Sequence, residues 1–223
     1  NLVPEKDNTF IITDYSSIEL STLAQVLYSK YGENEMQKRI NAGEDLHTYY
    51  ASVLYKVPVE EVTKGQRQSA KAANFGFPGG LGIHTFIEFA EGYGLQLTDG
   101  DAQEMKDAWF EAFPLMKKYL QGEEGSVETL TGRKRASTTY CQEKNTPFQG
   151  LAADGAKLDL YELIKKGFKV VGFVHDEIIS EVPEENMIDM LDIQEEIMIN
   201  SMKQVVPDVS ISVESTISKE YCK

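Results

Sequence analysis

His175-Asp176-Glu177 stands between two β-rich runs, Phe168-Lys169-Val170-Val171-Gly172-Phe173-Val174 and Ile178-Ile179-Ser180-Glu181-Val182. Two such runs joined by a short polar tip read as a β-hairpin over 168–182. A second acidic signature, Asp14-Tyr15-Ser16-Ser17-Ile18-Glu19-Leu20, follows another apolar run, Phe10-Ile11-Ile12. Each signature sets a carboxylate where a strand ends. Two carboxylates brought side by side repel unless a divalent cation lies between them. Asp14 and Asp176 therefore predict a metal-dependent site on a small sheet.

Between them lies Arg67-Gln68-Ser69-Ala70-Lys71-Ala72-Ala73-Asn74-Phe75-Gly76, with no proline before Pro78. Its alanines favour a helix, expected over 64–76. Arg67, Lys71 and Phe75 are spaced i, i+4, i+8 and share one face, about 12 Å long at about 1.5 Å per residue. Two cations and a ring in a row suit a nucleoside triphosphate, the cations taking phosphates and the ring stacking on base or sugar.

The rest of the chain supplies the frame. A strand is expected over 9–13 and helices over 17–29, 34–42, 45–55, 83–92 and 99–112. Thr98 with Asp101 forms a capping box. A hairpin is expected over 127–140 with its turn at Thr131-Gly132, then a long helix from Pro147 to Lys166. A helix over 185–204 and an alternating strand over 209–217 close the chain. The fold class is α+β: a small antiparallel sheet carrying both acidic signatures, with a helical insertion between them.

Hydrophobic content of 41% and charged content of 26% read as soluble and globular. Neither a spanning apolar run nor a basic-then-apolar leader is visible, so no membrane partner is expected. Two cysteines, Cys141 and Cys222, give no disulfide framework and point to a reducing, intracellular setting. The net charge of −14 argues against nucleic acid only on average, because residues 176–223 hold 12 Asp/Glu against 3 Lys. Basic residues gather instead at Lys64, Arg67 and Lys71, at Lys117-Lys118 and at Arg133-Lys134-Arg135.

Taken in order, these signatures resemble motifs A, B and C of the family A DNA polymerases, the DNA polymerase I-like enzymes. Asn145-Thr146-Pro147-Phe148-Gln149-Gly150-Leu151-Ala152-Ala153-Asp154 and Glu44-Asp45-Leu46-His47 agree with it. The resemblance implies an antiparallel palm sheet with a helical fingers insertion, a right-hand architecture lacking the thumb. Its expected boundaries are palm over 1–32, fingers over 33–125 with the motif B helix at 64–77, and palm again over 126–223. It also implies template-directed addition of deoxynucleotides to a primer 3′ end, with two Mg²⁺ ions as cofactors and Mn²⁺ as a substitute. The partners implied are primer-template DNA, deoxynucleoside triphosphates, and a thumb and exonuclease portion outside this segment. The implied location is the cytoplasm of a bacterial or phage-infected cell, or an organelle. A single-subunit RNA polymerase shares this fold and stays open as an alternative, as does a non-catalytic nucleic-acid-binding fragment. Glu19 and Glu177 argue against the RNA polymerase.

Carried over residue by residue, the resemblance makes Asp14 and Asp176 the metal ligands, with the Tyr15 carbonyl, and Glu177 an accessory catalytic carboxylate. Arg67 and Lys71 bind the triphosphate, with Lys71 also assisting the leaving pyrophosphate. Phe75 packs on the nucleotide and favours discrimination against 3′-deoxy terminators, while His47 approaches the phosphates. Glu19 acts as a steric gate against a ribose 2′-OH. His175 meets the primer terminus, and Asn145 and Gln149 reach minor-groove acceptors that every base pair presents. Arg133 faces the phosphate backbone with Lys134 and Arg135. The chain also departs from the pattern. Gly79 and Gly80 stand where motif B usually ends in Tyr-Gly, with Pro78 expected to end the helix early. Ser17 replaces a common Gln, Ser21 a common Arg, and residues 141–144 lack the usual Arg. These changes suggest a divergent, phage- or plasmid-like branch.

Overall fold

Strand β1, Asn8–Tyr15, is the centre of the sheet. In the computed structural model, which describes residues 2–122, 126–136 and 138–222, β1 pairs antiparallel with β5 (Glu177–Pro183) on one side and β6 (Val213–Ser218) on the other. Strand β4 (Lys169–Val174) adds outside β5, giving the order β4-β5-β1-β6. The expected fingers boundary at residue 125 lies outside the described residues. The chain divides into two units, Asn1–Thr22 with Leu151–Lys223, and Leu23–Gly150. The division falls inside α1 (Ile18–Tyr31) and α8 (Tyr140–Lys166).

In the sheet-bearing unit, one face of the pleated strand β1 is buried along its length, while the other is fully buried only at Phe10. Thr9, Ile11, Thr13 and Tyr15 are all buried. Gln194 of α9 (Met187–Val205), itself wholly buried, donates to Thr13 Oγ1 at 2.9 Å, so this face packs on helix. Met198 and Met202 of α9 are buried too. Asp14 falls on the opposite face and is exposed. A one-residue slip of register would exchange the two sets, so burial of the odd-numbered positions fixes which way Asp14 points.

The second unit is helical. It holds the later turns of α1, then α2 (Glu35–Asn41), α3 (Leu46–Tyr55), α4 (Lys64–Gly76), α5 (Ile83–Glu91), α6 (Asp99–Ala112) and α7 (Leu115–Gln121). The short hairpin β2–β3 (Ser126–Glu128 and Lys134–Ala136) and the first turns of α8 complete it. Trp109, Phe77 and Phe86 are fully buried at its core, with Phe77 and Phe86 ring centroids 4.1 Å apart. Each such side chain contributes roughly 1.5–3 kcal/mol of burial free energy.

Local chemistry explains most boundaries. Thr63 and Thr98 both close complete capping boxes, with Gln66 and Asp101. Helix α4 stops at Gly76, and a 3₁₀ turn over Phe77–Gly79 leads to Gly80 at φ +77°. Several expectations need correcting: the closing strand begins at Val213 rather than at 209, and Glu177 lies in β5 rather than in the hairpin tip. Helix α8 begins at Tyr140, seven residues before Pro147, which lies inside it. Pro147 resembles a helix-starting proline, but Thr139 and Gln142 cap one another's backbone N–H groups further upstream, at 3.4 and 3.2 Å. Helix α7 was not foreseen; it is only seven residues long, and such a segment carries little periodic signal.

Candidate active site

In the sheet-bearing unit the two acidic signatures meet. Asp14 is registered directly opposite Glu177, and Val174 pairs with Glu177 across the two-residue tip His175-Asp176. Asp14 and Asp176 thus lie at the same end of the sheet, one residue out of direct register. On its other side Asp14 is registered opposite Glu214 of β6. Residues facing each other across antiparallel strands project from the same face, so Glu177, Asp14 and Glu214 form an acidic row over three strands. Sequence reading missed Glu214, because β6 carries no recognisable signature.

The backbone is forced at both signatures. His175 sits at φ +60° and Ser17 at φ +55°. A left-handed conformation costs a residue with a Cβ roughly 1–2 kcal/mol, and such outliers gather where surrounding structure over-determines a site. Glu177 accepts from the Tyr221 hydroxyl at 2.7 Å, which holds one of its oxygens. Glu19 is half-buried in the first turn of α1.

Tyr15 turns inward where Asp14 turns out. Its hydroxyl lies 2.7 Å from Asp159 Oδ2 on α8 and 2.8 Å from the Met198 carbonyl on α9. Burial, with the Asp159 carboxyl beside it, pushes the Tyr15 phenol well above its ordinary value. Burial likewise raises the Asp159 carboxyl to about 7, against the lowering effect of hydrogen bonds from Tyr15 and Ser201. These contacts clamp the end of β1 at the residue after Asp14. Asp159 was not singled out in the sequence; an acid 144 positions from its partner gives no local signal.

In the helical unit, the cationic helix α4 is tied to α3. Arg67 Nε donates to Asp45 Oδ2, while Asp45 caps α3 by accepting from His47 N at 3.0 Å and Thr48 Oγ1 at 2.7 Å. Burial pushes the Asp45 carboxyl up, but the hydrogen bonds from Arg67, Thr48 and the His47 amide outweigh it and hold it below the usual carboxylate range. The Arg67 side chain remains 41% exposed. Lys71 is half-buried and makes no ion pair among the described residues.

His47, expected to approach phosphates, is buried. Asn74 lies 3.0 Å from its Nδ1, and the Trp109 indole donates to Asn74 Oδ1 at 3.0 Å. With its oxygen occupied by Trp109, Asn74 offers N–H to His47, so Nδ1 accepts and the ring proton sits on Nε2. Burial depresses the His47 imidazole to about 4; Arg67 and Lys71 add to this and Asp45 opposes it. The ring is therefore neutral at pH 7. It lies 5.4 Å from Phe75, which also stacks on Tyr93 at 6.5 Å.

Asn145 is half-buried on α8, with its side chain against Gly79: a Cβ on Gly79 would fall 2.5 Å from Asn145 Nδ2. Gln149 is exposed one turn later, and Arg133 is exposed in the β2–β3 turn.

The family model for DNA polymerase family A matches residues 1–223. The chain belongs to the family A DNA polymerases. DNA polymerase I of Aquifex aeolicus (strain VF5) is 35% identical over 234 residues, a match covering 98% of this chain and 40% of that protein. Thermostable DNA polymerase I of Thermus aquaticus is 30% identical over 241 residues, covering 98% of this chain and 28% of that protein. Among solved structures, the POL domain of Pol1 from M. smegmatis, in complex with DNA primer-template and dNTP, superposes with a TM-score of 0.79 at 25% identity. That match covers 98% of this chain and 41% of the solved one. The chain thus spans at most about two fifths of each of these relatives. The α+β fold with its antiparallel sheet is that of a family A polymerase domain.

Members of this family are generally dependent on divalent metal. Among the described residues no three His, Cys, Asp or Glu side chains already converge as a metal-binding group. At the sheet end the described residues offer carboxylate oxygens from Asp14, Asp176 and Glu177. That donor set fits Mg²⁺, which takes one or two carboxylates and completes its shell with water and phosphate oxygens. No helix of the described residues is long and apolar enough to cross a membrane.

Proposed function

We propose that this chain is the palm and fingers portion of a DNA-directed DNA polymerase that adds deoxynucleotides to a primer 3′ end under the direction of a template. The observation that carries the reading is the register of Asp14 against Glu177, with Asp176 next to it at the hairpin tip. In this reading residues 1–32 and 126–223 are the palm and residues 33–125 the fingers.

Asp14 and Asp176 hold two Mg²⁺ ions, with Mn²⁺ as a substitute; the Tyr15 carbonyl contributes and Glu177 is accessory. Bound there, the ions would offset charge on the attacking and leaving oxygens of an in-line displacement. Protein side chains do the positioning. Arg67 and Lys71 take the triphosphate, Lys71 near the leaving pyrophosphate, and Phe75 packs on the nucleotide. His47, neutral and buried, supports Phe75 from α3. Glu19 excludes a 2′-OH, and His175, held left-handed at the hairpin tip, meets the primer terminus. Asn145 and Gln149 read the minor groove, and Arg133 takes backbone phosphate. A thumb and an exonuclease portion outside this segment are the partners this reading supplies.

Primer extension tests it. With Mg²⁺, a primer-template and deoxynucleoside triphosphates, the chain joined to the thumb of a family member extends the primer. The Asp14→Ala form binds the same duplex without extending it. Extension by Asp14→Ala at the wild-type rate would refute the assignment.

A further inference from the structure

We propose that Tyr140 is a stacking platform for an unpaired nucleobase of the template strand, a contact that rests on the nucleic-acid reading above. Tyr140 opens α8 and keeps 42% of its surface exposed. Exposure alone does not single it out, since Tyr55 and Tyr161 are 40% and 61% exposed. What differs is that its ring is fixed. The Tyr140 hydroxyl donates to the Leu120 carbonyl at 2.8 Å, whereas neither the Tyr55 nor the Tyr161 hydroxyl is hydrogen-bonded among the described residues.

The ring edge is seated on Gly80. A Cβ there would fall 2.4 Å from Tyr140 Cε1, and Gly80 itself stands at φ +77°. Any other residue at position 80 meets both the ring and an unfavourable backbone. The neighbouring Gly79 is covered by Asn145 from the same end of α8, so two consecutive glycines receive two side chains of one helix. The Lys144 ammonium lies 5.4 Å from the Tyr140 ring centroid and is neutralised by Glu143 at 2.9 Å. A ring held this way loses little freedom when a planar ligand settles on it.

The surroundings select the ligand. Arg135 Nη1 donates to Thr146 Oγ1 at 3.2 Å, which brings the exposed basic strand Lys134–Ala136 onto the same end of α8. A fixed exposed ring beside a basic strand is the combination that holds single-stranded nucleic acid: the base on the ring, the phosphates on the cations. Stacking of this kind tolerates any base, because every base has a π-face.

The experiment uses a primer-template with an unpaired 5′ template overhang. Light-activated 5-iodouracil placed in the overhang should form an adduct with Tyr140, mapped by mass spectrometry of the wild-type chain. Adducts confined to other residues would overturn the proposal without any variant. In parallel, wild type should bind an overhang carrying a base about tenfold more tightly than one abasic at the same place, and Tyr140→Phe, without the hydroxyl that fixes the ring, should keep only part of that preference. Tyr140→Leu should lose that preference, and Tyr161→Leu should keep it. An unchanged preference in a folded Tyr140→Leu sinks the platform alone, provided wild-type extension persists. With the chain joined to the thumb of a family member, failure of the wild type to bind the duplex at all overturns both this inference and the polymerase reading.

Discussion

Asp14 on β1 faces Glu177 on β5, and the residue that follows Asp14 is anchored from behind by Asp159. One strand end is thus held from two directions, in the sheet plane by pairing and beneath it by the Tyr15 hydroxyl. The arrangement separates what carboxylates do at this edge. Asp14→Ala and Asp176→Ala should each reduce extension below detection while leaving the thermal midpoint within a few degrees. Glu177→Gln, which keeps the bond from Tyr221, should slow extension only about tenfold, in the range for groups that support a metal site rather than fill it. Single-turnover extension with purified variants measures both.

The gate is tested by sugar choice. Glu19→Ala should raise ribonucleotide incorporation relative to deoxyribonucleotide by about tenfold or more, since discrimination by one steric or polar contact spans that range. The ratio of kcat/KM for the two substrates reports it, and an unchanged ratio counts against a gate.

Arg67 owes its position to Asp45. Asp45→Asn keeps a good cap for α3 but removes the charge that Arg67 Nε meets. The KM for nucleotide should rise about fivefold, roughly 1 kcal/mol for one partly exposed ionic hydrogen bond, with kcat little changed. A fall in kcat alone would show that Arg67 acts on chemistry instead of binding.

Stability should depend on pH through His47. Its folded value, about 4, lies below the unfolded 6.5. The unfolded chain therefore takes up the proton first as pH falls. Stability from this group is complete above about pH 6.5 and drains away down to about pH 4, by about 3 kcal/mol at 1.36 kcal/mol per pH unit. Urea melts at pH 7.5 and 4.5 measure the loss. His47→Gln, unable to titrate, should lose measurably less over the same interval; parallel curves would show that other groups carry the dependence.

Gly79 and Asn145 should couple. A methyl at position 79 meets the Asn145 amide at 2.5–2.7 Å, so Gly79→Ala should destabilise by about 1–3 kcal/mol. In an Asn145→Ala background the cost should fall by at least about 1 kcal/mol, a coupling typical of residues in contact. Denaturant melts of the four proteins complete the cycle.

The sequence by itself determined most of the elements and the motif-bearing ends. Capping pairs three residues apart, a short polar tip between β-rich runs and cations one turn apart are local interactions, so residue order alone reveals them. The start of α8 was legible too, in Thr139 and Gln142, but a proline that mimics a helix start outweighed it. Only the tertiary structure decided which distant side chains hold those local pieces. Asp159 beneath Tyr15, Asp45 on Arg67, Glu214 beside Asp14, and Asn145 and Tyr140 on the two glycines are each contacts between residues far apart in the chain. Such pairs come together because folding buries whole faces of strands and helices, and no spacing along the chain records which faces will meet.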